Sequence, residues 1–373
     1  PLALAPRRRM VELGLAALRG GGRLERRGEL VRLSEALRSA GWVCLPLSDA
    51  PATAAAISSC QAAAADFFAR PLDERARYNS GAADWALGLT YLPPGGEPVY
   101  SASASAQRVH SLNCQASLTP DEVDALLPLT MSETDRMLAR EYHAWPRGEL
   151  ALPELEGASG ALRAALATEI CEPLMRALSL LLGLPEDHLT RRCSMRHSDN
   201  TSLLRLLEYP PLPEARATSP DANEWGVSEH TDFELFSLIH QDMEGLQLQT
   251  RSGTWTAAGV GHNVLIMIVG DMLERLSAGY FRATPHRVQP TPAKVPSPRR
   301  SLVFFQAFDE DEPVRGVEPS QCHGPHGHAF AEYLRGLGGA GDVEQFMHAI
   351  TQRQWTEHRE LPALERAKRM AKT

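Results

Sequence analysis

From about Arg192 the sequence breaks into short apolar runs separated by turn residues: Leu203 to Leu207, Phe236 to Ile239, Leu246 to Leu248, Val264 to Val269 and Leu302 to Phe305. Regular short strands of this kind must pair with one another, and the expected result is an all-β sandwich or barrel. None of these runs approaches the ~20 apolar residues of a membrane helix. The preceding half reads differently. Gly28 to Ala40 spaces Leu30, Leu33 and Leu37 at helical intervals, and Ala52 to Ala69 is an Ala-rich helix stopped by Pro71. Pro120 to Leu127 and Gly160 to Leu182 are further expected helices, the latter kinked at Pro173 and ended by Gly183 and Pro185. Trp42 to Leu45 resembles a short buried strand, and the Gly-, Pro- and Ser-rich stretch from Leu87 to Ser117 suggests irregular loops with short strands. From Ala329 helical character returns.

The expectation is a mainly β fold with helical additions, built as one compact unit. Residues 1–25 would be a flexible leader and 26–190 a mixed, mostly helical region. Residues 191–320 would be the catalytic β core, and 321–373 a helical region packed on it.

Composition narrows the function classes. Lys and Arg number 38 against 46 Asp and Glu, a net charge of −8 that gives no basis for a nucleic-acid surface. Cys44, Cys60, Cys114, Cys171, Cys193 and Cys322 are scattered with no Cys-x-x-Cys pair, a pattern that suits reduced thiols in an intracellular protein. A cytoplasmic location is expected, while the Arg-rich leader (Arg7, Arg8, Arg9, Arg19, Arg23) has a bias also seen in organelle transit peptides. No membrane and no nucleic-acid partner is expected, and oligomeric state has no signal in the sequence.

The chemistry concentrates in two places. In Glu229-His230-Thr231-Asp232, positions i and i+2 of an extended segment share a face, so His230 and Asp232 can reach one point. His286, in Thr284-Pro285-His286-Arg287-Val288, arrives from a later strand. Two imidazoles and one carboxylate form the facial triad of non-haem Fe(II) oxygenases. Further on, Arg299-Arg300-Ser301 opens the strand Leu302 to Phe305. Arg299 and Ser301 again share a face, and a planar guanidinium with a hydroxyl suits a carboxylate.

At these residues the sequence resembles the 2-oxoglutarate- and Fe(II)-dependent dioxygenases of the isopenicillin N synthase-like class. The resemblance is densest from Leu204 to Phe305. It runs through Leu204-Arg205-Leu206-Leu207-Glu208-Tyr209-Pro210-Pro211, His230-Thr231-Asp232, Gly245-Leu246-Gln247-Leu248, Trp255, Asn263 to Leu273, Leu276-Ser277-Ala278-Gly279, His286-Arg287-Val288 and Arg299-x-Ser301. A weaker echo covers Leu37 to Leu45 and Phe67 to Pro71.

The resemblance implies a double-stranded β-helix, or jelly roll, flanked by amino- and carboxy-terminal helices. His230, Asp232 and His286 would bind Fe(II). Arg299, Ser301 and Tyr209 would hold the distal carboxylate of the cosubstrate 2-oxoglutarate. The implied reaction uses O2 and hydroxylates, desaturates or cyclises a small-molecule substrate, releasing succinate and CO2. Two alternatives stand beside it: a facial-triad oxidase that does not use 2-oxoglutarate, and a silent jelly-roll binding protein.

The sequence departs from the family in two respects. Leu207 stands where many relatives have Asn, and the Pro-rich segment Pro290 to Pro298 is longer than usual, which loosens the register of Arg299 against Arg300. Candidate substrate contacts are Tyr91, Tyr100, Arg108, Phe233 and Phe305. Arg205 could meet an acidic substrate or form a structural salt bridge with Glu208 or Glu229. Cys322, His323, His326 and His328 are expected to form a surface loop rather than a second metal site. His240 and His262 read as structural histidines. His110, His143, His188 and His197 have no ligand-like partner in sequence.

Overall fold

Each of the short apolar runs is a strand. The computed structural model describes residues 11–79, 88–96, 107–127, 130–193, 202–212, 225–259, 263–292, 297–309, 312–317 and 351–356. Among these, β1 (Trp42–Pro46), β2 (Leu89–Leu92), β3 (His110–Cys114), β4 (Leu203–Tyr209), β6 (Phe236–Gln241), β9 (Val264–Val269) and β11 (Arg299–Gln306) make one antiparallel sheet. Its order is β1-β9-β6-β11-β4-β3-β2. A smaller sheet has the order β5-β10-β7-β8, from β5 (Val227–His230), β7 (Leu246–Gln249), β8 (Trp255–Ala257) and β10 (His286–Val288). From β4 onward the chain crosses repeatedly between the two sheets, which is the winding of a double-stranded β-helix.

The alternation of side chains along β4 shows how the sheet is used. Leu204 and Leu206 join the apolar cluster shared with the helices, while Leu203, Leu207 and Tyr209 join the cluster between the sheets. Both faces are therefore buried, and β9 reads as a continuous apolar run, as β4 does but for Arg205 and Glu208. The outer face is covered by α3 (Pro51–Phe68), α7 (Pro153–Leu166) and α8 (Glu172–Leu181), through side chains such as Phe67, Leu162 and Leu174. The shorter α4 (Leu72–Ala76), α5 (Pro120–Leu126) and α6 (Glu133–Tyr142) lie in the connections before β2 and after β3.

Three features differ from the sequence reading. First, residues 11–25 are not a loose leader. Leu13, Leu15 and Leu18 are buried in the main core, Glu12 bridges to Cys44, and α1 (Leu15–Gly20) leads into α2 (Arg23–Ser39). The arginines masked three apolar positions that pack inward. Second, the β core is not confined to 191–320, because β1, β2 and β3 complete the larger sheet. Third, the single kinked helix expected over Gly160 to Leu182 is divided. A π-helical turn at Ala167–Cys171 separates α7 from α8. Pro173 has no N–H for the carbonyl of Glu169, and Arg19 donates to that oxygen at 3.0 Å.

The five described cysteines are buried and form no disulfide with one another, and no helix among the described residues is long and apolar enough to cross a membrane. The expected helical region 321–373 lies outside the described residues except for a helical stretch at 352–356.

His110, on β3, is buried against Tyr91, with a 2.7 Å hydrogen bond between its Nδ1 and the phenol. Burial, with a smaller effect from Arg75, holds this imidazole down at about 4, against an ordinary 6.5. As pH falls from about 6.5 to 4, the unfolded chain gains a proton here that the folded chain refuses, so stability drains across that window. The loss of urea midpoint between pH 7 and pH 5 should be smaller in His110→Gln than in the wild type. Parallel urea titrations at the two pH values check this, and equal losses would contradict it.

Candidate metal centre

His230 ends β5 and His286 opens β10, and the pairing of these strands sets the two residues directly opposite one another. Their ring centres are 4.1 Å apart. Asp232 follows in the connection to β6, with Oδ1 3.5 Å from His230 Nε2 and 3.6 Å from His286 Nε2. One ligand atom from each residue falls within 4.8 Å of the other two. The three residues that the sequence singled out are thus brought to one point.

Their surroundings select the form each takes. His230 Nδ1 is 2.7 Å from the Ser228 carbonyl and His286 Nδ1 is 3.1 Å from the Thr284 carbonyl. A carbonyl can only accept, so each Nδ1 carries a proton, and in the neutral ring that tautomer leaves the Nε2 lone pair for the shared point. Burial, reinforced by the neighbouring His286, holds His230 down at about 3, so it is neutral at pH 7. Asp232 Oδ2 accepts from the Ser237 hydroxyl on β6. Burial pushes the nearby Glu234 carboxyl up to about 8. Two imidazole nitrogens and one carboxyl group on one side of a point suit a divalent ion and leave its other positions open.

The second constellation lines the same cavity, whose space, its opening to solvent included, is about 560 Å³. Arg299 is 1% exposed. Its Nε donates to the Met243 carbonyl at 3.0 Å and its Nη2 to Gln241 Oε1 at 2.8 Å. The guanidinium carbon sits 4.5 Å from the centre of the Tyr209 ring, and Nη1 is buried with no hydrogen-bond partner. A buried cationic donor without a partner marks a place for an anion. Ser301 and Tyr209 line the same cavity. Arg300 points the other way and donates to Glu208 through Nε and Nη2 at 2.9 and 2.8 Å. The strand register therefore assigns Arg299, not Arg300, to the cavity.

Two glycines make this possible. A Cβ on Gly245 would stand 2.8 Å from Arg299 Nε, and one on Gly226 would stand 2.9 Å from Tyr209 Cδ1. Sequence reasoning noted Gly245 but not its role, and it missed Ser237 and Gln241. A lone hydroxyl within the apolar run Phe236 to Ile239 was the available signal for Ser237.

Of the substrate-contact candidates, Phe305 and Arg205 line the cavity. Glu208 is held by Arg300, and Arg205 Nε donates to Asn113 Oδ1 at 2.8 Å. Tyr91 is instead a core residue among Phe67 and His110. Phe233 is buried but is not among the residues lining the cavity, and the Arg108 main chain pairs with Trp225. His240 Nδ1 meets Gln61 at 3.1 Å, and His143 Nδ1 the Ala116 carbonyl at 2.9 Å, as structural histidines do. Tyr100, His197, His262, Cys322, His323, His326 and His328 lie outside the described residues.

Residues 200–307 match the model of the 2OG-Fe(II) oxygenase superfamily. Among curated proteins, the chain is 33% identical over 132 residues to a probable iron/ascorbate oxidoreductase of Dictyostelium discoideum, covering 33% of this chain and 35% of that protein. It is 29% identical over 177 residues to a homoarginine-6-hydroxylase of Glycine max, covering 47% and 51%. It is 34% identical over 139 residues to gibberellin 2-beta-dioxygenase 3 of Arabidopsis thaliana, covering 37% and 38%. The matches thus span about a third to a half of these relatives' lengths. Solved structures extend the likeness of fold to nearly the whole chain. A full-length Neurospora crassa protein, crystallised in complex with alpha-KG and thymine, superposes with a TM-score of 0.67 at 18% identity, over 97% of this chain and 96% of that one. A putative 2OG-Fe(II) oxygenase family protein from Caulobacter crescentus gives 0.62 at 22% identity, over 96% and 98%.

The geometry predicts one divalent site per chain. Isothermal titration with Mn(II) should give a stoichiometry of one, lost in His286→Ala. Ser237→Ala, which leaves all three ligands but frees the carboxylate to turn, should weaken binding by roughly 10- to 100-fold. Unchanged affinity in Ser237→Ala would show that the hydroxyl does not orient Asp232.

Proposed function

We propose that this chain, whose β core is that of the 2OG-Fe(II) oxygenase superfamily, is an Fe(II)- and 2-oxoglutarate-dependent oxygenase acting on a small molecule. The observation that carries the reading is the pairing of two sites in one cavity. Three ligand atoms face one point of its lining, and a buried guanidinium with a spare donor lines it as well. A ligand able to use both must carry a metal-chelating end and a carboxylate at the other, as 2-oxoglutarate does.

In this reading His230, Asp232 and His286 hold Fe(II), and the Ser228 and Thr284 carbonyls keep the imidazoles in the tautomer that can ligate. Arg299 takes the distal carboxylate through Nη1, with Ser301 and Tyr209 beside it. Gln241 and the Met243 carbonyl fix the guanidinium so that little is lost in ordering it when the anion arrives. The chemistry supplied by such a centre is oxidative decarboxylation of 2-oxoglutarate to succinate and CO2, coupled through O2 to oxidation of a substrate C–H bond. Apolar walls from Leu207, Val227, Ile239 and Leu246 exclude water from the reacting groups. Leu207, where many relatives have Asn, adds to this dry lining rather than to cosubstrate recognition.

Anaerobic addition of Fe(II) and 2-oxoglutarate should produce a metal-to-ligand charge-transfer absorption band, absent from His286→Ala. Gly245→Ala pushes on Arg299 without touching a ligand. It should retain Mn(II) binding while raising the 2-oxoglutarate concentration needed for half-maximal band intensity by roughly 10-fold or more, the loss expected for a charged hydrogen bond. A wild type that shows no band, or that consumes O2 without releasing succinate, would favour an oxidase independent of 2-oxoglutarate.

A further inference from the structure

Two segments far apart in sequence hold the connection that carries Asp232. The first is the start of the short helix Asp271–Leu276. The Asp271 N–H donates to the Asp232 carbonyl at 2.8 Å, the Met272 N–H to the Glu234 carbonyl at 3.1 Å, and the Gly270 N–H to the Leu235 carbonyl at 3.2 Å. Gly270 permits this approach, because a Cβ there would stand 2.2 Å from the Glu234 carbonyl oxygen. The second segment is the stretch 351–356, outside residues 200–307. It starts with a reciprocal cap: the Thr351 hydroxyl accepts from the Gln354 N–H at 3.2 Å, and Gln354 Oε1 accepts from the Thr351 N–H at 3.0 Å. The helical turn so begun puts Gln352 and Trp355, at i and i+3, on one face. Gln352, 1% exposed, brings Nε2 to 3.5 Å from the Phe233 carbonyl. Trp355 Nε1 donates to Asp271 Oδ2 at 3.0 Å.

We infer that Trp355 is a positioning residue for the metal centre: through Asp271 it fixes the main chain that aims the Asp232 carboxylate. The inference rests on the metal centre described above and adds a support that reaches it from near the carboxy terminus. Asp271 is the joint. Its side chain accepts from the indole while its N–H donates to Asp232, so the position of Trp355 is passed to the ligand's main chain through one residue. Ser237 holds the carboxylate itself, and Asp271 holds the peptide behind it. A displaced peptide re-aims the carboxylate, and a metal ligand that must be reordered binds more weakly. Such coupling is reciprocal: if the seated stretch favours the metal, the metal favours the seated stretch. Trp355 also packs on the main core. Phenylalanine keeps an aromatic ring for that packing and lacks the donor, which separates the two roles.

The test uses the full chain with Mn(II) alone, without turnover. By isothermal titration, Trp355→Phe and Asp271→Ala should each bind Mn(II) roughly 3- to 10-fold more weakly, the range of one net hydrogen bond. The double variant should lose no more than the larger single loss, since both changes remove the same bond. Asp271→Asn keeps an oxygen for the indole and should recover most of the affinity. In hydrogen exchange read by mass spectrometry, Mn(II) should slow exchange across 351–356 in the wild type and not in Trp355→Phe. The exchange measurement on the wild type stands even where a variant fails to fold. Unchanged Mn(II) affinity in a folded Trp355→Phe, losses that add in the double variant, or exchange across 351–356 indifferent to Mn(II) overturns the inference while the metal centre stands. A wild type that binds no Mn(II) overturns the metal centre and this inference with it.

Discussion

The pairing of β5 with β10, which sets His230 opposite His286, is the constraint on which the site depends. A shift of one residue along either strand would turn one imidazole to the other face of the sheet and leave the second without its partner. The register is secured from both sides. β10 also pairs with β7, where His286 lies opposite Leu248, and Arg287 is held between the rings of Trp225 and Trp255 at 4.4 and 4.0 Å. The smaller sheet has few residues per strand, so these lateral contacts supply the precision that strand length cannot.

Burial acts on the site in two opposed ways. It makes charge expensive, which keeps His230 neutral and its lone pair available. It also makes a retained charge consequential, and the Met243 carbonyl, Gln241 and the Tyr209 face offset the cost of burying the Arg299 guanidinium at 1% exposure. One donor stays unpaired, and the cost of burying it falls when an anion accepts from it. An affinity for an anion at this donor would thus be built from the same desolvation that otherwise destabilises the fold.

Much of this was legible in the sequence because it follows from period-two geometry. His230 with Asp232 and Arg299 with Ser301 are i and i+2 pairs, and their convergence needed only the assumption of extended chain. The strands from Leu203 to Phe305 were visible as apolar runs because the larger sheet is buried on both faces. What stayed hidden depends on contacts far apart in sequence. Gly245 matters through a residue that arrives from β11, and Ser237 through a carboxylate across a turn. Tyr91 resembled a pocket residue but packs with Phe67 and His110, since β2 and β3 extend the sheet away from the cavity. The buried Leu13, Leu15 and Leu18 were concealed by an arginine bias that describes the surface of that segment rather than its inward side.

The added strands nevertheless reach the chemistry. β3 pairs with β4 so that Asn113 lies opposite Arg205, and the amide of one fixes the guanidinium of the other. The triad and Arg299 are carried by strands β5, β10 and β11 together with the connection after β5, all within residues 200–307. Arg205, which lines the same cavity, is steadied instead by a strand from outside that stretch. Such a division separates two demands on one cavity. The core fixes the distances that a metal and a cosubstrate require, whereas the appended edge can change without disturbing them. Residue 113 can therefore alter how Arg205 is presented to the cavity, while the pairing of His230 with His286 is left intact.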